Sequence, residues 1–133
     1  MAEYVKAKLH EAWEFLKAAE AEFREAKSEV KVRDAAEKAW DAVVQATDAL
    51  IYALKGRKPL SHFERRNALR ELEEGVEAVR RLGLRDRYMA RYKALHEAFY
   101  EGVVDRVEVR LELEKARKYV EDVEGLLGHE LSY

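Results

Sequence analysis

Val32-Arg-Asp-Ala-Ala-Glu-Lys-Ala-Trp-Asp-Ala-Val-Val-Gln-Ala-Thr-Asp-Ala-Leu-Ile-Tyr-Ala-Leu54 decides the fold. Within it Val32, Ala36, Ala39, Val43, Ala46, Leu50 and Ala53 recur at alternating spacings of four and three. That rhythm is one apolar stripe of a bundled helix. Trp40, Val44, Ile51 and Leu54 add a second stripe alongside, so the helix needs more than one neighbour. Its alanines allow close approach of another helix or of a partner chain.

The same rhythm extends in both directions. Upstream, Val5, Leu9, Ala12, Leu16, Ala19, Phe23 and Ala26, widened by Trp13, predict a first helix over residues 2–28. The boundary falls between Ser28 and Asp34, where Asp34 is expected to cap the second helix with Glu37 answering it. Downstream, Gly56 and Pro59 stop that helix. Ser61 with Glu64 forms a capping box for a third helix, with Leu69, Leu72, Val76 and Val79 on its core face and Gly83 at its end. A fourth is expected over residues 86–101, with Tyr88, Tyr92, Leu95, Phe99 and Val103 on its apolar side. Asp105 with Glu108 opens a fifth, carrying Val109, Leu113, Ala116, Val120, Val123 and Leu127. Gly125 and Gly128 are expected to fray its end, with mobile last residues. The pattern predicts an all-α fold: an antiparallel bundle of four to five helices forming one domain over residues 1–133.

Composition narrows the function. Charged residues make up 39% of the 133 positions, against roughly 25% in typical soluble proteins. With 48% apolar residues, the charge decorates amphipathic helices instead of a disordered chain. The same balance fits a heat-adapted protein. No cysteine is present, which excludes disulfides, thiolate metal sites and a cysteine nucleophile. No apolar run suits a membrane and the N-terminus lacks a signal-peptide core, so a cytoplasmic protein is expected. The charge is segregated: residues 1–54 are net −3, residues 55–93 net +6 and residues 94–133 net −5. A basic middle third attracts phosphates; alternatively, its arginines pair with the acidic helices beside it.

No metal site or cofactor is expected. The residues three before His10, His62, His96 and His129 are Ala7, Pro59, Lys93 and Leu126, none of them the glutamate that a di-iron bundle requires. Phosphate loops and nucleophile elbows are also missing. What remains is Arg91, His96 and Tyr100, directly after the basic third. A cation near a titratable imidazole suits a phosphate and a proton transfer. Five residues along a straight helix turn about 500°, so Arg91 and His96 point about 140° apart. A curled arginine or a second subunit across a two-fold axis is needed to combine them.

Arg91 and His96 resemble the Arg-x(4–6)-His motif of the HEPN superfamily. Leu95-His-Glu-Ala-Phe-Tyr-Glu-Gly102 is similar to the Leu-His-x-x-Phe-Tyr-Glu signature of the archaeal PaREP-type family, placed with the HEPN folds. Ala98 stands where that signature favours Asn, and Tyr92 where HEPN nucleases often carry a polar residue. Arg57 and His62 repeat the spacing and are expected to be a chance match. The resemblance implies a HEPN-like dimer with a composite cleft, acting as a metal-independent endoribonuclease of the toxin type. A nucleotidyltransferase is the implied partner, and RNA or a nucleotide the ligand. His96 would move the proton, Arg91 would hold phosphorane charge and Tyr100 would bond the phosphate or imidazole, with Arg85, Arg87, Tyr92 and Lys93 binding. The alternatives are a non-catalytic module that binds a nucleotide, an RNA or a protein, and a purely structural oligomer. In the last case His96 is an interfacial or core histidine.

Overall fold

The computed structural model describes residues 2–97 and 105–131. Among these lie six α-helices and one π-helical turn, with no strand. The helices are α1 (Ala2–Glu25), α2 (Glu29–Lys55), α3 (His62–Gly75), α4 (Glu77–Leu82), α5 (Leu84–Tyr92) and α6 (Arg106–Leu131); the π turn is Lys93–Glu97.

The central element is α2. Ser28, in extended backbone, caps it by accepting from the Lys31 N–H at 3.2 Å. Asp34 is therefore not the cap but an exposed residue of the second turn. The earlier serine satisfies the orphan donors first. At the other end Gly56 takes φ +70 and its N–H bonds the Tyr52 carbonyl at 2.9 Å, a left-handed stop that glycine adopts without a Cβ penalty.

Ala35, Ala36, Ala39, Ala42, Ala46 and Ala49 are all buried. Helices of the same chain cover this face, so its width is explained without a partner chain. Tyr4 packs on Tyr52 with ring centroids 4.4 Å apart, Lys8 donates to Gln45 at 2.9 Å, and Lys38 pairs with Glu22. The start of α1 thus meets the end of α2, and the two run in opposite directions. On α1 itself the expected stripe is buried from Val5 to Ala19. Asp105 caps α6 through its Oδ1, which accepts from Val107 and Glu108. α6 lies along α1 through Arg117–Glu20 at 3.0 Å and Trp13–Glu124 at 2.9 Å. It does not fray at Gly125 or Gly128 but continues to Leu131. An internal glycine costs only about 1 kcal/mol, and Leu127 between the two is fully buried.

The basic third departs from the expected single helix. The chain breaks at Val76, which is extended (φ −126, ψ 109) and bonds back to the Leu72 carbonyl at 2.7 Å. Gly75 weakens the helix there and the β-branched valine favours extended backbone. Gly83, at φ +59, ends α4 as expected. α5 starts at once because Leu84, not Asp86, is the buried anchor. The expected helix over residues 86–101 becomes α5 plus the π turn; residues 98–104, with Phe99, Tyr100 and Val103, lie outside the described residues.

Candidate functional site

The site is built where α3, α5 and the π turn meet the middle of α2. Trp40 is its hub. Its ring centroid lies 6.1 Å from His62, 5.2 Å from Tyr88, 5.4 Å from Tyr92 and 6.3 Å from His96. His62 opens α3, where the Ser61 cap orients the first turn. Its imidazole stacks on Tyr92 at 3.9 Å and 21°. Its Nδ1 is 2.9 Å from the Tyr88 hydroxyl. Burial, then the charges of Arg66 and Arg65 and that of His96, push the His62 imidazole below its ordinary range.

Behind the rings is a buried polar string. Asp48 accepts from Arg65 through both oxygens, at 2.7 and 3.2 Å. Burial works against the Arg65 charge, but the hydrogen bond and charge of Asp48 outweigh it and raise its pKa. Tyr88 bonds to the same guanidinium, and burial pushes its phenol up to about 12. These groups clamp α3 to α2 and fix the phenol that holds His62.

His96 projects from the π turn. Its Nδ1 lies 2.8 and 3.0 Å from the two oxygens of Glu37 on α2. Asp41, one turn beyond Glu37, has its pKa raised by burial and by the Glu37 charge, with His96 acting in the opposite direction. A carboxylate on Nδ1 sets the imidazole's tautomer and orientation.

Arg91 points elsewhere. Its Nη2 is 2.7 Å from Glu112 on α6, and both residues are buried, at 7% and 8% exposure. The contact is ionic without good alignment, because Arg91 Nε and Glu112 Oε1 make no hydrogen bond among the described residues. Arg87, one turn earlier, pairs with Asp122 at 2.9 Å and lies over the Tyr119 ring. These two arginines therefore meet the acidic helix, while His96 meets α2. Arg85 sits at the junction of α4 and α5, its backbone N–H donating to Glu73. Tyr92 and Lys93 do join the site. With His62, Arg66, Met89, Ala90 and Glu97 they line a surface cavity of about 530 Å³. Arg66 is half-buried there, and its Nε has no hydrogen-bond partner among the described residues. Tyr100 lies outside the described residues.

From residue 8 to residue 120, from α1 through most of α6, the sequence matches the model of the Archaeal PaREP1/PaREP8 family. The chain belongs to the archaeal PaREP1/PaREP8 family. No curated protein matches it.

In this PaREP1/PaREP8 protein the matched span holds every residue of the ring cluster. Among the described residues no group of three or more His, Cys, Asp and Glu is placed to hold a metal, and no helix is long and apolar enough to cross a membrane. The chemistry on offer is imidazole proton transfer beside cationic and aromatic surface. The sequence reading set His62 aside as a chance match, gave Glu37 to a helix cap and did not single out Arg65 or Arg66. His62 did carry a signal, the second Arg-x4-His spacing, but Arg57 of that pair bonds Glu71 at 2.9 Å instead. Glu37, Trp40 and Asp41 share the four-and-three spacing of one helix face, which was legible only as surface beside core.

Proposed function

We propose that this PaREP1/PaREP8 protein is a HEPN-like module that binds RNA on the face formed by α3, α5 and the π turn. There it cleaves RNA by proton transfer at His96. The observation that carries the reading is the Glu37–His96 pair at 2.8 Å, beside a cavity that gathers Arg66, Lys93 and Tyr92. A carboxylate-oriented imidazole is the arrangement general acid–base catalysis uses. Cationic side chains interleaved with a ring suit a single strand's phosphates and bases. Arg91, neutralised by Glu112, positions the π turn in this reading, and Arg66 and Lys93 meet the phosphate charge.

The proposal includes a homodimer. Leu60 and Phe63, at the start of α3 next to Arg66, expose apolar surface that a second copy covers. Sedimentation at micromolar concentration is expected to give a dimer. The toxin-type pairing with a nucleotidyltransferase belongs to the same reading and is tested by co-purification.

A second reading, a non-catalytic RNA- or nucleotide-binding module, is favoured by the burial of Arg91. Single-turnover cleavage of labelled RNA in excess chelator separates the two, with binding titrated alongside. Cleavage that falls about 10²- to 10⁴-fold in His96→Ala is expected. Binding without cleavage, weakening steeply as salt rises, selects the module; neither cleavage nor binding ends both readings.

A further inference from the structure

We propose that His62 is a second catalytic residue of this site, working with His96 as an acid–base pair on an RNA phosphodiester, with Glu37 as the positioning residue of His96. The inference rests on the cleavage reading above. The repeated Arg-x4-His spacing does not suggest it, since Arg57 is turned to Glu71. It comes from the fold, which brings two imidazoles from distant parts of the chain onto the same two rings. Both His62 and His96 contact Tyr92, at 3.9 and 5.5 Å, and both contact Trp40, at 6.1 and 6.3 Å. His62 itself lines the cavity with Arg66 and Lys93.

The two imidazoles are held in opposite ways, which separates their roles. His62 faces the Tyr88 hydroxyl and the Tyr92 ring from α5, Arg65 and Arg66 on its own helix, Trp40 from α2, and His96 and Glu97 from the π turn. That mostly cationic surround favours the neutral ring, a base. His96 faces Glu37 and Asp41 from α2, Tyr92 from α5 and His62 from α3. Held at Nδ1 by the Glu37 carboxylate, it takes the other role, the acid.

The step balances. With Nδ1–H donated to the Tyr88 oxygen, His62 Nε2 takes the proton of a ribose 2′-hydroxyl. The 2′-oxygen forms a bond to the adjacent phosphorus. The bond from phosphorus to the 5′-oxygen breaks, and the His96 imidazolium gives its proton to that leaving oxygen. The products are a 2′,3′-cyclic phosphate and a 5′-hydroxyl. One proton has passed from the 2′- to the 5′-oxygen, and exchange with water restores both imidazoles.

The test is the pH profile of single-turnover cleavage of an RNA oligonucleotide in excess chelator, using the full chain. Wild type is expected to give a bell. Its acid limb reports deprotonation of His62 and its alkaline limb deprotonation of His96. His62→Gln is expected to lose about 10²- to 10⁴-fold in rate and the acid limb with it. His96→Gln is expected to lose the alkaline limb. His62→Phe keeps a ring against Tyr92 and guards against a folding defect; it is expected to melt like wild type and cut like His62→Gln. If either His62 variant keeps the rate, or loses rate with both limbs intact, His62 is not a proton-transfer residue. His96-dependent cleavage would then still stand. A wild type that binds RNA without cutting it overturns this proposal and the cleavage reading together.

Discussion

The two sides of α2 are built on different physics. Where α1 and α6 cover it, the contact surface consists of alanine, valine and leucine, with Thr47 and Tyr119 as the buried polar pair. Thr47 spends its hydroxyl proton on the Val43 carbonyl at 2.7 Å, so Tyr119 donates to Thr47 at 2.6 Å. Where α3, α5 and the π turn cover it, the surface is rings and buried ions: Trp40, Tyr88, His62, Arg65–Asp48 and, towards α6, Arg91–Glu112. Non-directional packing of small residues gives stability in proportion to area buried. Paired charges contribute less net stability, because desolvation offsets their attraction; rings stabilise by burial, and both hold side chains in set orientations. Orientation is what a site requires, and the candidate site lies on that second side.

Trp40, the hub of the ring side, gives the largest expected effect. Trp40→Ala should cost about 3–5 kcal/mol in chemical denaturation, the range for an enclosed large ring. A loss under about 1 kcal/mol would mean that the ring cluster is a surface decoration, on the scale set by ordinary surface substitutions.

Arg91 probes the ionic side next. Arg91→Met leaves Glu112 with only the more exposed Lys115, at 3.3 Å, as counter-charge, and a loss of about 3 kcal/mol, the low end for a broken buried pair, is expected. Adding Glu112→Leu should recover most of it, because an apolar pair of similar volume replaces a buried ion pair at little cost. Recovery of stability without recovery of RNA binding would assign Arg91 to the ligand instead of to α6.

The smallest effect carries a sign worth measuring. Asp41 has a raised pKa in the folded protein, so ionising it opposes folding. That penalty is absent below the ordinary carboxylate range and complete once pH exceeds the raised value. Asp41→Asn should therefore stabilise the protein by a few tenths of a kcal/mol at pH 7, a small figure because solvent screens a half-exposed group. No gain is expected near pH 3. A loss at pH 7, read from paired thermal melts, would show that the Asp41 charge supports His96.

Much of the fold was legible because its signals are local. The stripes from Val5 to Ala19, Val32 to Leu50 and Val109 to Leu127 follow from helical periodicity alone. Gly56, Ser61 with Glu64, Gly83 and Asp105 act through backbone groups a few residues away, so their roles can be read without a partner. Less was legible of the candidate site. Arg91 and His96 stand out by spacing, yet spacing does not say that one pairs with Glu112 and the other with Glu37. Ser28 and Asp34 are equal as capping residues by chemistry, and the choice fell to the turn that also lets Val32 and Ala35 bury.

By itself, then, the amino-acid order determined an all-helical chain with α2 at its centre, since periodicity and capping cost and gain free energy within a few residues. Tertiary structure decided the rest. The π turn at Lys93–Glu97 with His96 on Glu37, the meeting of His62 with Tyr92 and the burial of Arg91 against α6 each involve a helix far away in sequence. Distant groups interact only after folding has met the entropic cost of bringing them together. No periodicity within one helix encodes which of them will be neighbours.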